Sequence, residues 1–470
     1  MSRSAYAVPP SGGSLDEAFE RNGARRPLYD ALLSGYADAD LAGRADQVTA
    51  HLAERGVAFG GAAGGWPFVV DQVPRLIEAA EWAHVDAGLQ RRAATLEAFV
   101  ADMHGERACI TDGIVPPDIL AGCPFHEPDL DGLPDPATAR IAIAGMDLVR
   151  DGDGELLVLE DNCRTPSGLA YALAARDAVR SLHGDDIAIR DYRAELQATL
   201  RQALTAALPP NAADGGEIVL MSDGQDNTAW YEHNTLAALA DVDLLVTEDV
   251  RLDGTQLRRR STGAPIAVVY RRTDIDRLRS DDGSPTSLGE LFVPALQAGT
   301  LSLLNAFGTG VADDKRVHAH VDDLTTYYLG EPPIIRSVPT LDLSEPAALD
   351  EALDRAGELV FKPRDGHGGY GVVIGPAATP AQLDALRAEV RAAPAGWIAQ
   401  DVVALSTHPT VIDGVLSPRH VDLRPFALAT GPRQWAVLPG GLTRVALAAG
   451  ELVVNSSRGG GGKDTWVLTR

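Results

Sequence analysis

Apolar residues recur every three or four positions, with charged residues between them, over 41–55 and again over 73–103. That is the period of an amphipathic helix, so residues 14–107 are predicted to be mainly helical, with Trp66-Pro67-Phe68 docking on the core between the two stretches. Six prolines from Pro116 to Pro136 make the next stretch a wrap around other elements. Two short apolar runs, 146–149 and 156–159, then flank an Asp-Gly-Asp-Gly sequence, the strongest local sign of a β-hairpin. Helical spacing returns at 167–181 and 191–207, and Pro209-Pro210-Asn211 closes the second of these.

From Glu217 the pattern changes to short continuous apolar runs at 218–221, 244–246, 266–270 and 301–304, separated by helical stretches near 228–240 and 287–298. Runs of that kind suit parallel strands buried on both faces, which predicts a small doubly wound, Rossmann-like α/β domain. Further strands are expected at 359–363, at 397–403 and at 465–468. The divisions that follow are 1–138, 139–166, 167–310 and 311–470.

Composition narrows the class. The chain has 470 residues, 45% hydrophobic and 23% charged, the profile of a globular protein of two or three domains. It has no run approaching the roughly 18–20 uncharged apolar residues of a membrane helix. The N-terminus has no apolar signal core, so a cytoplasmic protein without a membrane partner is expected. Cys109, Cys123 and Cys163 form no CxxC pair, which fits a reducing compartment. A formal charge of -25 argues against a basic face for nucleic acid, while remaining compatible with a cationic co-substrate.

Candidate chemistry concentrates in a few segments. With a two-residue turn at Asp153-Gly154, Asp147 lies opposite Glu160, and period two puts Asn162 on the same face. Three hard oxygen donors at one hairpin end suit Mg²⁺; the alternative is a hairpin whose acids are simply solvated. Cys163 beside them reads as a small packing residue, a nucleophile being the alternative. Lys315 follows a glycine-rich turn, and Lys362 ends a strand that runs into Arg364-Asp365-Gly366-His367-Gly368-Gly369-Tyr370-Gly371. Such a loop lets backbone N–H groups approach phosphate oxygens, although it matches neither a P-loop nor a dinucleotide fingerprint, and a plain turn is the alternative. The 397–403 strand, with Gln400 and Val403, is of a kind that offers backbone groups to an adenine. Asp422 and Arg424 share a face by period two, Arg444 follows, and the end of the chain clusters Asn455, Arg458, four glycines and Lys463 in what reads as a loop closing over a ligand. At the strand ends of the α/β domain, Arg271 or Arg272 could hold a substrate carboxylate, an ordinary ion-paired strand end being the alternative.

These segments, Asp314-Lys315, the Lys362-Pro363 strand with its glycine loop, Asp422-Leu423-Arg424 and Asp147 with Glu160-Asp161-Asn162, resemble the ATP-grasp superfamily. The metal hairpin comes early in this chain, where the usual order puts it last. The wording of LEDNCRTPSG, RHVDLRPF and NSSRGGGGKDTWVL resembles the circularly permuted type 2 ATP-grasp family, relatives of glutathionylspermidine-synthase-like ligases. The resemblance implies a permuted α+β ATP-grasp fold with a pre-ATP-grasp domain at 167–310, and Leu468 beside the strand at Ile141. It implies that Lys315 and Lys362 bind the α- and β-phosphates of ATP, that Asp365 to Gly371 (with Gly366, Gly368 and Gly369) cover the triphosphate, and that Gln400 to Val403 hold adenine. It further implies that Asp147, Glu160 and Asn162 hold one or two Mg²⁺, and that Arg424, Arg444, Arg458 and Arg164 meet the transferred phosphoryl group. The implied reaction joins a carboxylate to an amine through an acylphosphate, with ADP released. Asp223, Asp226, Asn227, Arg271 and Arg272 are then candidates for the substrate pocket. A phosphotransferase, or a nucleotide-binding protein without catalysis, is the alternative.

Overall fold

A computed structural model describes residues 6, 14–60, 65–133, 136, 138–183, 187–275, 277–366, 370–451 and 460–470. Near the N-terminus, helix α1 (Leu41–Glu54) is capped by Asp40, whose carboxylate accepts the Gly43 N–H at 3.0 Å. Strand β1 (Val70–Ile77) follows, then the 25-residue helix α2 (Ala79–Met103), which buries Trp82, Leu89, Leu96 and Phe99. The helix expected from Val73 therefore begins six residues later. The strand is buried on every side, and its polar residues are spent on interior partners: Asp71 on Lys463, Gln72 on the Leu41 carbonyl, Arg75 on Glu17. In the sequence those residues look like the wet face of a helix. Phe68 is buried as expected, whereas Trp66 stays largely exposed.

The hairpin consists of β2 (Ile143–Arg150) and β3 (Leu156–Asn162), with Asp147 opposite Glu160 and Gly145 opposite Asn162. Its turn differs from the expected two-residue one. Residues 151–155 form a longer loop in which the Asp151 carboxylate accepts the N–H groups of Asp153 and Glu155, both at 2.9 Å. A bulge between Asp147 and Leu148 then shifts the register, so that Asp147 still meets Glu160.

Helices α3 (Leu169–His183) and α4 (Tyr192–Ala206) lead into the α/β unit. Its strands β4 (Glu217–Ser222), β5 (Asp243–Val246), β6 (Ile266–Arg272) and β7 (Ser302–Leu304) form a parallel sheet in the order β7-β6-β4-β5. Helices α5 (Trp230–Ala240) and α6 (Ser287–Gln297) connect them.

The last third begins with the single turn α7 (Lys315–His318). Strands β8 (Thr340–Asp342), β9 (Leu359–Pro363), β10 (Val373–Ile374) and β11 (Trp397–Asp401) make an antiparallel sheet in the order β8-β11-β9-β10 over a core of Leu353, Phe361, Leu386 and Val390. Strands β12 (Phe426–Gly431) and β13 (Gln434–Val437) extend the hairpin sheet, in the order β13-β12-β2-β3. Pairing of Phe426 with Gly145 and of Leu428 with Ile143 thus joins segments far apart in the chain.

Strand β14 (Thr443–Val445) and the final strand β15 (Gly461–Val467) complete a third sheet with β1, β15 at its centre. The end of the chain therefore pairs with β1, and the Leu468 N–H donates to the Ile77 carbonyl at 2.9 Å. Leu468 and the strand at Ile141 are expected from the sequence to be spatial neighbours; the backbone pairing of this end is with β1 and not with that strand. Val467 and Ile141 share a hydrophobic cluster, but the strand position is taken by the N-terminal segment. The strand also starts earlier than 465: Gly461 and Gly462 belong to it, and a Cβ on Gly462 would sit 2.6 Å from the Phe68 ring. Among the described residues no helix is long and apolar enough to cross a membrane.

Candidate active site

Between the β8–β11 sheet and the hairpin sheet lies a cleft of about 420 Å³. It gathers Asp147, Glu160, Asn162 and Arg164 from the hairpin and the turn after it, and Arg424 and Arg444 from the far end of the chain. The opposite wall supplies Lys315, Lys362, Asp365, Gly366, Gln400 and Val403. Gly371 is not part of the lining; its φ of +72° and a would-be Cβ contact of 2.6 Å with Pro363 make it a packing glycine at the base of the loop. Gly368, Gly369, His367, Asn455 and Arg458 lie outside the described residues.

Asp147 is 2% exposed and receives two arginines. Arg424 donates through Nε to Oδ1 at 2.5 Å and through a terminal nitrogen to Oδ2 at 2.8 Å; Arg444 donates to Oδ2 at 2.7 Å. Burial pushes the Asp147 carboxyl up, but the two guanidinium charges outweigh it and hold the pKa at about 2. Arg444 also grips Asp422, so Asp422 serves Arg444 and not its near neighbour Arg424. Asp422 itself stays raised: burial and the nearby Asp147 charge exceed the help from Arg444.

Glu160 faces the opposite wall, with its Oε1 3.3 Å from the Lys315 ammonium. Lys315 also donates to the Gly366 carbonyl, tethering the base of the glycine loop. Lys362 is desolvated, and burial together with the like charge of Lys315 lowers it to about 8, against the pull of Glu160 and Asp147. The Asn162 side-chain nitrogen is buried without a hydrogen-bond partner. Glu160 and the Asn162 amide oxygen are hard donors suited to a divalent cation, beside two lysines suited to phosphate, whereas both Asp147 oxygens accept arginine N–H groups and a cation there would have to displace one of them.

Gln400 pairs with Thr340 on one side and Val360 on the other, and the chain leaves the sheet after Asp401, so Val402 and Val403 run along the cleft wall beyond it. Arg164 donates to Asp313 at 2.8 Å and stacks 3.7 Å over the Phe125 ring. Burial raises the Asp313 carboxyl to about 6, with Arg164 opposing. Cys163 is fully buried, and burial pushes its thiol well up, away from the thiolate.

The strand-end residues of the α/β unit do not reach the cleft. Arg272 donates to the Pro166 carbonyl at 2.7 Å, to the Ser167 hydroxyl at 2.5 Å and to Glu232 at 3.0 Å. Glu232 in turn accepts the N–H groups of Gly168 and Ala170 at the start of α3. The pair shapes the segment after β3 and is not free for a substrate. Arg271 is buried with its guanidinium 4.2 Å over Phe307, and Asn227 bridges Asp223 and Asp274. Asp226, likewise, is not among the residues lining the cleft. Lys463 is fully buried on Asp71 and the carbonyls of Val73 and Pro409, in the core and not over a ligand.

Sequence reasoning missed three residues behind the cleft. Asp161 points away from Glu160 and Asn162, and Arg92 of α2 takes it in a two-pronged grip, 2.6 Å on each oxygen. His318 of α7 approaches the same carboxylate at 3.0 Å. The signal was a charge at core spacing, Arg92 standing three residues after Leu89 and four before Leu96.

The sequence pattern of the family described as circularly permuted ATP-grasp type 2 matches residues 74–446. The chain belongs to that family. A solved structure of a glutathione synthetase-like effector from Globodera pallida is similar in fold, with a TM-score of 0.61 over 92% of this chain and 98% of its own, at 10% identity. The Mycobacterium tuberculosis "Uncharacterized protein Rv2411c" is 39% identical over 97% of this chain and 84% of its own. The Frankia alni protein named "Putative glutamate--cysteine ligase 2-3" is 42% identical over 98% of this chain, which spans 54% of that larger protein. In a permuted ATP-grasp chain the early hairpin and the late arginine segments have to meet, and they do so at the Leu148–Leu423 bridge and the Asp147 carboxylate, next to the β2–β12 pairing.

Proposed function

We propose that this protein is an ADP-forming carboxylate–amine ligase working in the cytoplasm on Mg·ATP, a small-molecule or peptide carboxylate and an amine. The observation that carries this reading is the single cleft lined by two lysines on one wall and paired carboxylates with two arginines on the other. Family membership supports ATP use, and the ligase name of the Frankia relative supports the acid–amine pairing. Three free cysteines suit a reducing compartment.

In this reading Lys315 and Lys362 take the α- and β-phosphates, the loop from Asp365 covers the triphosphate, and the wall at Gln400 to Val403 receives adenine. Mg²⁺, when bound at Glu160, Asn162 and Asp147, supplies Lewis-acid neutralisation of the phosphate oxygens. The substrate carboxylate oxygen attacks the γ-phosphorus while the bond to the β-phosphate oxygen breaks, giving an acylphosphate and ADP. The amine then attacks the acyl carbon, phosphate leaves, and the nitrogen loses its proton. Arg424, Arg444 and Arg164, with Arg458, stabilise the anionic phosphoryl group at both stages, so no nucleophilic side chain is required.

Calorimetric titration with a non-hydrolysable ATP analogue, with and without Mg²⁺, tests the site. Mg²⁺-dependent binding that Glu160→Gln weakens is expected; no binding by the wild type overturns the reading. ADP release that requires both a carboxylate and an amine is the ligase outcome, whereas release with an acceptor and no amine would make it a phosphotransferase.

A further inference from the structure

Asp161 occupies the position between two proposed metal ligands, yet both its carboxylate oxygens are held from two other elements. Arg92 of α2 grips both carboxylate oxygens at 2.6 Å and reaches the Ser337 hydroxyl at 3.0 Å. His318 lies three residues after Lys315 on the same helical turn, and its Nδ1 is 3.0 Å from Asp161 Oδ2. An Arg92 terminal nitrogen also lies 3.2 Å from that Nδ1, but the Asp161 carboxylate is nearer and is the strong acceptor, so Nδ1 carries the proton toward it and Nε2 the lone pair. His318 Nε2 is buried without a protein partner, and so is Gln400 Oε1. Both residues line a water-sized space of about 10 Å³ bounded also by Glu160, Lys315 and Lys362.

We propose that His318 is a positioning residue for the nucleotide site: anchored on Asp161 and Arg92, it fixes the turn that carries Lys315 against the strand that carries Glu160 and Asn162. The phosphate-binding and metal-binding halves of the cleft are then coupled through one buried junction. Without it the Lys315 turn shifts relative to β3, and Lys315 and the cation no longer meet the same phosphates. This rests on the ATP-site reading above.

The test is the ratio of affinities for a non-hydrolysable ATP analogue with and without Mg²⁺, measured by calorimetry on the full chain, with a thermal melt of each variant. A general loss of fold lowers both affinities together; a positioning loss shrinks the ratio. In His318→Ala the ratio is expected to fall by about 10- to 100-fold, the range of residues that orient metal ligands. His318→Asn, whose amide N–H sits near the Nδ1 position, recovers most of it, and His318→Gln, whose amide sits near Nε2, does not. An unchanged ratio in Ala and Gln, or an Asn variant no better than Gln, overturns the proposal. Should His318→Ala fail to fold, the Asn–Gln pair decides alone. A wild type that binds nothing overturns the ATP site itself, a distinct result.

Discussion

Lys362 carries its charge into a desolvated place beside Lys315, which lowers its pKa to about 8. Bound phosphate favours the protonated amine, so nucleotide binding takes up a proton once the free lysine has lost it. The analogue's affinity is therefore expected to hold up to about pH 8 and then fall, by up to about tenfold per pH unit. Lys362→Arg, which stays charged, flattens that fall; the check is a titration series from pH 7 to 9.5. Asp147 is a contrasting residue: its two arginines keep it ionised across that whole range, so it contributes no pH dependence there. Lysines beside glycine-rich turns, and acids at a hairpin end, are legible because the local sequence announces both the residue and its backbone setting. Arg92, Asp161 and His318 were not, because their meaning lies in partners 69 and 157 positions apart.

Elements were legible where one period dominated. The runs at 218–221 and 266–270 are apolar, short and largely buried, and each is a strand, whereas the strand expected over 397–403 stops at Asp401. Strand β1 was not, since Asp71, Gln72 and Arg75 are polar yet buried, with partners on elements no local window contains. The hairpin shows how a wrong turn can leave a right register, the bulge at Asp147 compensating for the longer loop. Close approach between elements is equally invisible in one dimension. The Gly441 Cα lies where a Cβ would come within 2.2 Å of the Arg424 carbonyl oxygen, in a segment bonded by Arg424 N–H to Leu442 O at 2.9 Å and Leu442 N–H to Arg424 O at 3.0 Å. Gly441→Ala is expected to cost about 1–3 kcal/mol by forcing those backbones apart. It should also weaken Mg·nucleotide binding by displacing Arg424; urea denaturation and calorimetry check the two effects separately.

The molecule is closed by its two ends. Strand β15 is central in its sheet, with β14 on one side and β1 on the other, and Arg75 of β1 pairs at 2.6 Å with Glu17 in a fully buried contact. A chain starting at Ala79 would leave β15 with an open edge and Asp71's partner Lys463 as an uncompensated buried charge. Such a truncation is expected to lack a cooperative thermal transition, checked by circular dichroism, although it removes none of the cleft residues. The pairing of β2 with β12 has a consequence in time. The ribosome makes Gly145 roughly 280 residues before Phe426, and at about 5–20 residues per second that is a wait of roughly a quarter of a minute to a minute. Throughout it the hairpin has no sheet partner, and Asp147 and Glu160 face each other with neither Arg424 nor Arg444 yet synthesised. The nascent chain must carry the paired acids of this hairpin without their arginines until Arg424 and Arg444 emerge, so the cleft can be complete only after the Thr443–Val445 strand has been made.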